Sequence, residues 1–362
     1  MTRYIGLDVH QASCTLAVVG TSGKRLGSHV VETNGQALVE LVRAIPKPRL
    51  LCMEEGTQSA WLYELLLPHV DELVVAGVSE SRGAKSDLRD AFALAEALRL
   101  GTIKIRVFKA PAQFARLREL SHTYTMISRD VVRTQMRIKA LFRARGLSTS
   151  TSNVYSKKSR ELWLSKLTAS SLTAGELLFA EFDALRELKK QAQQQLVSES
   201  HQHSITQILE TCPGLGEIRV AQMVPVVVAP GRFRTARQFW SYSGLGIVMR
   251  SSSDWVLDKK QDRWVRADTL KTRGLNPRHN STLKGIFKGA ATTVITKLTT
   301  DPLHEHYERM LKQGTKPNLA KLTIARKIAA MALSMWKARE VYDPARQHKQ
   351  QLTLASRQQP LQ

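Results

Sequence analysis

Tyr4-Ile5-Gly6-Leu7-Asp8-Val9 sets an apolar run around a single carboxylate. A strand that buries its neighbours rarely tolerates an unpartnered charge, so Asp8 requires a reason. Around it, residues 3–9, 13–20 and 24–33 read as three strands, with Gly20-Thr21-Ser22-Gly23-Lys24 as the turn between the last two. A helix over 36–44, a strand ending at Glu54, a helix over 60–67, a strand over 73–76 and a helix from Asp87 follow. This alternation predicts a layered α/β domain that opens on a β-meander.

Three further carboxylates join Asp8 in the same chain order. Leu50-Leu51-Cys52-Met53-Glu54-Glu55-Gly56 is a short β-type run that meets two glutamates and then a glycine that stops it. Asp87 and Asp90 lie three apart in a helix-prone segment, so one helix face presents both. Clustered oxygen ligands suit Mg²⁺ or Mn²⁺, the ions of two-metal phosphodiester chemistry. Blander roles exist for each residue taken singly: a turn aspartate at Asp8, a helix cap at Ser86 and Asp87, an arginine pair at Asp90. Strand alternation leaves the choice between Glu54 and Glu55 open, because each shares its face with apolar residues.

The chain has 362 residues, 43% of them hydrophobic, enough for two or three packed domains. Fifty-four Lys and Arg against 31 Asp and Glu give a net charge of +23, and the usual partner of such a surface is a polyphosphate backbone. No signal pattern and no apolar run of membrane-spanning length is present, so a cytoplasmic, nucleoid-associated protein without a membrane partner is expected. Cys14, Cys52 and Cys212 stand far apart in apolar contexts and read as buried thiols.

Beyond the first domain, Pro111 to Arg145 is helical and basic and includes Arg133 and Arg137; a polar linker over 148–159 leads to a second long helix over 174–200. The pair suggests a helical hairpin or coiled-coil arm suited to dimerisation or to gripping a nucleic-acid backbone. Cys212-Pro213-Gly214-Leu215-Gly216 fits a helix-hairpin-helix turn, in which Gly214 and Gly216 let backbone amides approach a phosphate. Phe239 to Gly246 precedes Arg250 and the triplet Ser251-Ser252-Ser253. Trp255, Lys259, Lys260, Arg263, Trp264 and Arg266 then mix cations with aromatic rings that either stack on bases or pack internally. Helices run on to about Ala338 before a polar tail. The expected division is 1–108 catalytic, 109–203 helical arm, 204–345 an α-rich domain, and 346–362 tail.

The order of a β-meander bearing Asp8 followed by α/β units is that of the ribonuclease H-like fold. With Ile5-Gly6-Leu7-Asp8, Met53-Glu54-x-Gly56, Lys85-Ser86-Asp87-x-x-Asp90-Ala91, Pro213-Gly214-Leu215-Gly216 and Phe239 to Leu245, nearly the whole chain resembles the DEDD-type insertion-sequence transposases guided by a bridge RNA, a family that includes the Piv-type DNA invertases. The resemblance implies a RuvC-like N-terminal domain, a helical arm and a C-terminal transposase domain carrying an essential serine. By that resemblance Asp8, Glu54, Asp87 and Asp90 hold Mg²⁺ or Mn²⁺, and counting on from Gly244 places the nucleophile at Ser252, with Ser251 and Ser253 as alternatives. It further implies donor and target DNA, a structured guide RNA, and a homo-oligomer, dimer or tetramer, in which one protomer's serine approaches another's metal site. The family's glycine after the serine is replaced here by Ser253-Asp254-Trp255 and an apparent insertion up to Thr272.

Competing readings are a Holliday-junction-type endonuclease that hydrolyses DNA with the tetrad alone, and a non-catalytic nucleic-acid-binding protein. An actin-like kinase opens on a similar Gly-Leu-Asp, but the chain lacks a convincing second phosphate hairpin and its basic charge does not suit a small-molecule kinase.

Overall fold

The computed structural model of the chain describes residues 1–78, 86–107, 112–149, 152–249, 255–258, 262–266 and 272–344. Two compact units divide it, Met1–Gln113 and Phe114–Gln362.

The first unit holds β1 (Arg3–Val9), β2 (Ser13–Gly20), β3 (Arg25–Glu32), α1 (Gly35–Ala44), β4 (Arg49–Glu54), α2 (Ser59–Leu66), β5 (Glu72–Ala76) and α3 (Asp87–Arg99). These bounds follow the expected ones within one or two residues. The strands form one sheet in the order β3-β2-β1-β4-β5. β1, β2 and β3 pair antiparallel as the meander, while β4 and β5 run parallel to β1. This mixed α/β architecture with an antiparallel meander and parallel additions is that of a RuvC-like domain.

Alternation along the strands gives the sheet two apolar faces. Ile5, Leu7, Leu51, Met53, Leu73 and Val75 pack with Leu38 and Val42 of α1 and Leu62 and Leu66 of α2. Tyr4, Leu50, Cys52, Val74 and Ala76 pack on the other face with Leu94 and Leu98 of α3. Each fully buried aliphatic side chain stabilises the domain by roughly 1.5–3 kcal/mol before conformational entropy is counted. Asn34 caps α1, its Oδ1 accepting from the amides of Gln36 at 2.9 Å and Ala37 at 3.3 Å. The buried Arg49 guanidinium closes the other end, donating to the carbonyls of Val42, Arg43 and Ile45 at 2.7, 2.9 and 2.5 Å and to that of His69 at 2.6 Å.

Gly6 governs how α3 lies on the sheet. A Cβ there would stand 1.9 Å from the carbonyl oxygen of Ala91 and 2.6 Å from the amide nitrogen of Ala95. Ala91 and Ala95 are themselves fully buried, so small residues meet where helix and strand touch.

The second unit is built from α4 (Ala115–Arg143), α5 (Arg160–Leu164), α6 (Ala169–Ser200), α7 (Ser204–Glu210), α8 (Gly216–Val227), α9 (Ala236–Tyr242), the short strands β6 (Ile247–Met249), β7 (Trp255–Asp258), β8 (Arg263–Arg266) and β9 (Thr272–Leu275), then α10 (Ser281–Lys297), α11 (Pro302–Lys312) and α12 (Pro317–Ala338). α4 and α6 form the anticipated hairpin. Val154 of the expected polar linker and Trp163 of α5 contribute to its core, buried with Val131, Ile138, Phe142, Phe179 and Phe182. No helix among the described residues is long and apolar enough to cross a membrane. Cys14, Cys52 and Cys212 are buried free thiols, and burial pushes Cys52 up to about 12.

Replacing Gly6 by Ala is expected to lower unfolding stability by about 3 kcal/mol or more, since α3 must move off the sheet. Gly56→Ala, where an added Cβ meets nothing within 4 Å, shifts it by less than about 1 kcal/mol. Urea unfolding of the two variants checks the pair.

Candidate metal centre

The parallel register of β1 and β4 runs from Arg3 opposite Arg49 to Leu7 opposite Met53. One step further, Asp8 and Glu54 stand level at the carboxyl ends of adjacent strands. Alternation puts Asp8 on the face of Gly6, and Glu54 on the face of Leu50 and Cys52, which is the face that α3 covers. Glu55 lies just beyond the end of β4.

α3 begins at Asp87, so its first turn delivers Asp87 and Asp90 toward the same sheet edge. Ser86 occupies the cap position without a side-chain cap bond, so Asp87 and Asp90 are not explained as parts of a capping motif. The positive end of the helix dipole favours carboxylates there.

A residue absent from the sequence reading completes the cluster. His10 Nε2 lies 3.2 Å from Asp8 Oδ2 and 3.2 Å from Asp87 Oδ1. Ligand atoms of Asp8, His10 and Asp87 all fall within 4.8 Å of one another. The signal for His10 was present: it stands two residues beyond Asp8, and strand alternation carries side chains i and i+2 to one face. Asp8 is the deepest of the three, with its side chain 18% exposed against 52% for His10 and 57% for Asp87. Burial raises the Asp8 pKa above its ordinary 3.8; the nearby Asp87 and Asp90 carboxylates raise it further, while His10 opposes them.

Carboxylates gathered at a solvent-accessible edge are poised for a cation, which would relieve their mutual repulsion. The donor set gathered here, Asp8, Asp87 and the His10 imidazole, which Asp90 and Glu54 do not join, fits a hard divalent ion such as Mg²⁺ or Mn²⁺ through its oxygens, and the nitrogen tilts the set toward Mn²⁺.

In the second unit Gly214 and Gly216 differ. Gly214 has φ +77°, and a Cβ there would lie 2.4 Å from the carbonyl oxygen of Ala290 in α10. Its own carbonyl accepts from Arg219 Nη1 at 2.6 Å. Gly214 therefore serves close helix packing, whereas Gly216, at the start of α8 with φ +53°, has nothing within 4 Å of an added Cβ. On the hairpin, Arg133 Nη1 pairs with Asp130 at 2.8 Å and Arg137 Nη1 with Glu181 at 3.1 Å. Both pairs are exposed, so they are weak and can be exchanged for other anions.

Arg250 and Ser251, Ser252 and Ser253 lie outside the described residues. The base from which they emerge is well built. A Cβ on Gly244 (φ +67°) would reach 2.4 Å from the His279 ring. Asn276 and Asn280 donate their amides to the carbonyls of Gly246 and Tyr242 at 2.9 and 2.8 Å. Trp240 Nε1 donates to the Arg326 carbonyl at 2.9 Å, and Arg326 Nε to that of Leu245 at 2.8 Å. β6 and β9 pair, Ile247 with Leu275 and Met249 with Thr272, so the chain leaves and re-enters this base at adjacent points.

Calorimetric titration of Mn²⁺ into the protein is expected to show binding that Asp8→Asn and Asp87→Asn each weaken at least about tenfold. A carboxylate with a raised pKa takes up its proton at higher pH than usual, and a ligand must be deprotonated to bind. Affinity is therefore expected to hold at neutral pH and to begin falling, as acid is added, before the ordinary Asp value of 3.8 is reached.

The DEDD transposase model of the IS110 type matches residues 5–144, taking in the acidic cluster and all of α4. A second model, described as a transposase of the IS116/IS110/IS902 family, matches residues 206–308, from α7 into α11. No curated protein matches the chain. With one model on the sheet that carries the carboxylates and the other on the helices around the glycine turn, the chain belongs to the IS110-type transposases, enzymes that act on DNA.

Proposed function

We propose that this transposase is the recombinase of a bacterial insertion sequence, which cuts and rejoins DNA through a serine nucleophile beside a divalent metal and is directed to its sites by a structured bridge RNA. The observation that carries the reading is the gathering of Asp8, Asp87 and His10 at one sheet edge, with Asp90 close enough to perturb Asp8. Asp8, Glu54, Asp87 and Asp90 would hold Mg²⁺ or Mn²⁺, which when bound neutralises phosphate charge and makes a nearby hydroxyl a better nucleophile. Ser252 is the proposed nucleophile. Its Oγ bonds to phosphorus as the bond to the leaving deoxyribose oxygen breaks, and the phosphoserine link conserves bond energy for rejoining. His10, within hydrogen-bond reach of two carboxylates, orients them.

Gly216, Arg133, Arg137 and Arg250 are proposed to contact the nucleic-acid backbone, and the net charge of +23 suits a protein that reads shape and leaves sequence to base pairing. The working parts on this reading are a catalytic domain over 1–108, an arm over 109–203 and a serine-bearing domain over 204–345. They assemble as a dimer or tetramer in the cytoplasm, on nucleoid DNA.

Recombination between donor and target plasmids carrying the native flanking DNA tests this. Asp8→Ala and Ser252→Ala are each expected to lower product at least about a thousandfold, and removing transcription of the non-coding flank is expected to abolish it. A covalent protein–DNA adduct should form with wild type and vanish with Ser252→Ala. Nicking that persists in Ser252→Ala without an adduct would instead support hydrolysis by the acidic cluster alone.

A further inference from the structure

β7 and β8 form a two-stranded ribbon whose register sets Trp255 opposite Arg266 and Leu257 opposite Trp264. Residues directly opposite in an antiparallel pair share a face, as do residues i and i+2. Trp255, Leu257 and Trp264 accordingly lie on one face, the two tryptophans as diagonal neighbours about 7–8 Å apart. They are 55%, 45% and 66% exposed. Among the described residues the ribbon is a sheet of two strands only, which leaves this apolar face as a candidate binding surface.

Charge narrows the occupant. Residues 255–266 carry Lys259, Lys260, Arg263 and Arg266 against Asp258 and Asp262; the register sets Arg266 opposite Trp255 on the tryptophan face and Arg263 opposite Asp258 on the other. Aromatic faces interleaved with cations suit unpaired nucleotides, whose bases stack while their phosphates meet the positive charge. Duplex DNA keeps its bases stacked internally and offers such a face nothing to stack on. In sequence, Trp255 follows Ser252 by three positions, so the ribbon starts beside the serine proposed to cut DNA.

We propose that the Trp255–Trp264 face of this ribbon is a stacking platform for unpaired bases of single-stranded DNA, holding a strand melted at the cleavage point during exchange. Where those bases come from rests on the recombinase reading; the binding does not. The platform also gives a role to the residues inserted before Thr272.

The test is fluorescence anisotropy of the full-length protein with one labelled sequence offered as single-stranded DNA, as duplex DNA and as RNA. The double variant Trp255→Ala/Trp264→Ala is expected to bind single-stranded DNA about thirtyfold more weakly or worse, the sum for two lost stacking contacts, with duplex affinity changed less than about twofold. Trp255→Phe/Trp264→Phe should retain most of the affinity, which shows that the alanine variant's loss is not misfolding. Equal losses on single strand and duplex, or no loss on either, would overturn the proposal. Loss confined to RNA would assign the face to a guide RNA, and a change in oligomeric state by light scattering without loss of single-strand binding would assign it to a second copy of the chain; either overturns it. If wild type fails to cleave DNA while tryptophan-dependent single-strand binding holds, the recombinase reading fails and the platform stands.

Discussion

The acidic edge of the sheet depends on a side chain that is missing. At Gly6 the backbone of α3 comes so near β1 that an added Cβ would stand 1.9 Å from the Ala91 carbonyl oxygen. Because the helix lies that close, and because it starts at Asp87, its first turn ends over Asp8. Any larger residue at position 6 would lift the helix and separate the carboxylates. The same contact buries Asp8, and burial is the leading cause of its raised pKa. Packing and electrostatics are thus one problem here: the close approach that stabilises the domain also creates a cluster of like charges, which the helix dipole and His10 offset only in part.

The second unit uses glycine in the same way for a different end. Gly214 and Gly244 have positive φ and abut Ala290 and the His279 ring, where a Cβ would collide at 2.4 Å. They draw α8 toward α10, and the segment after α9 toward the start of α10, building a base tied by Trp240, Arg326, Asn276 and Asn280. On that base β6 and β9 pair, Ile247 with Leu275 and Met249 with Thr272, so the two points where the described chain leaves and re-enters it are held side by side.

Much of this was legible before any coordinates. Alternation and turn chemistry placed β1 to β5 and α1 to α3 within a residue or two, because short strands bounded by glycine and charge carry a strong local signal. Charge set in apolar or helix-prone runs marks Asp8, Glu54, Asp87 and Asp90 as candidates, and of these the structure groups Asp8 and Asp87, with His10. In the linker over 148–159 the burial of Val154 against the α4–α6 hairpin is not legible, because serines and lysines surround it. His10 was missed for a similar reason: one histidine beyond a strand end is unremarkable until α3 brings Asp87 to meet it.

By itself the sequence determined the elements, their order, the sheet's RuvC-like character and the residues available for chemistry, since these follow from local periodicity and from charge that cannot be buried alone. Only the tertiary structure decided which of those residues meet. His10 joins two aspartates because α3 brings Asp87 to the end of β1, and Trp255 and Trp264 stay exposed on one face of their ribbon. Each of these depends on contacts between segments far apart in the chain, and no local pattern encodes the distance between them.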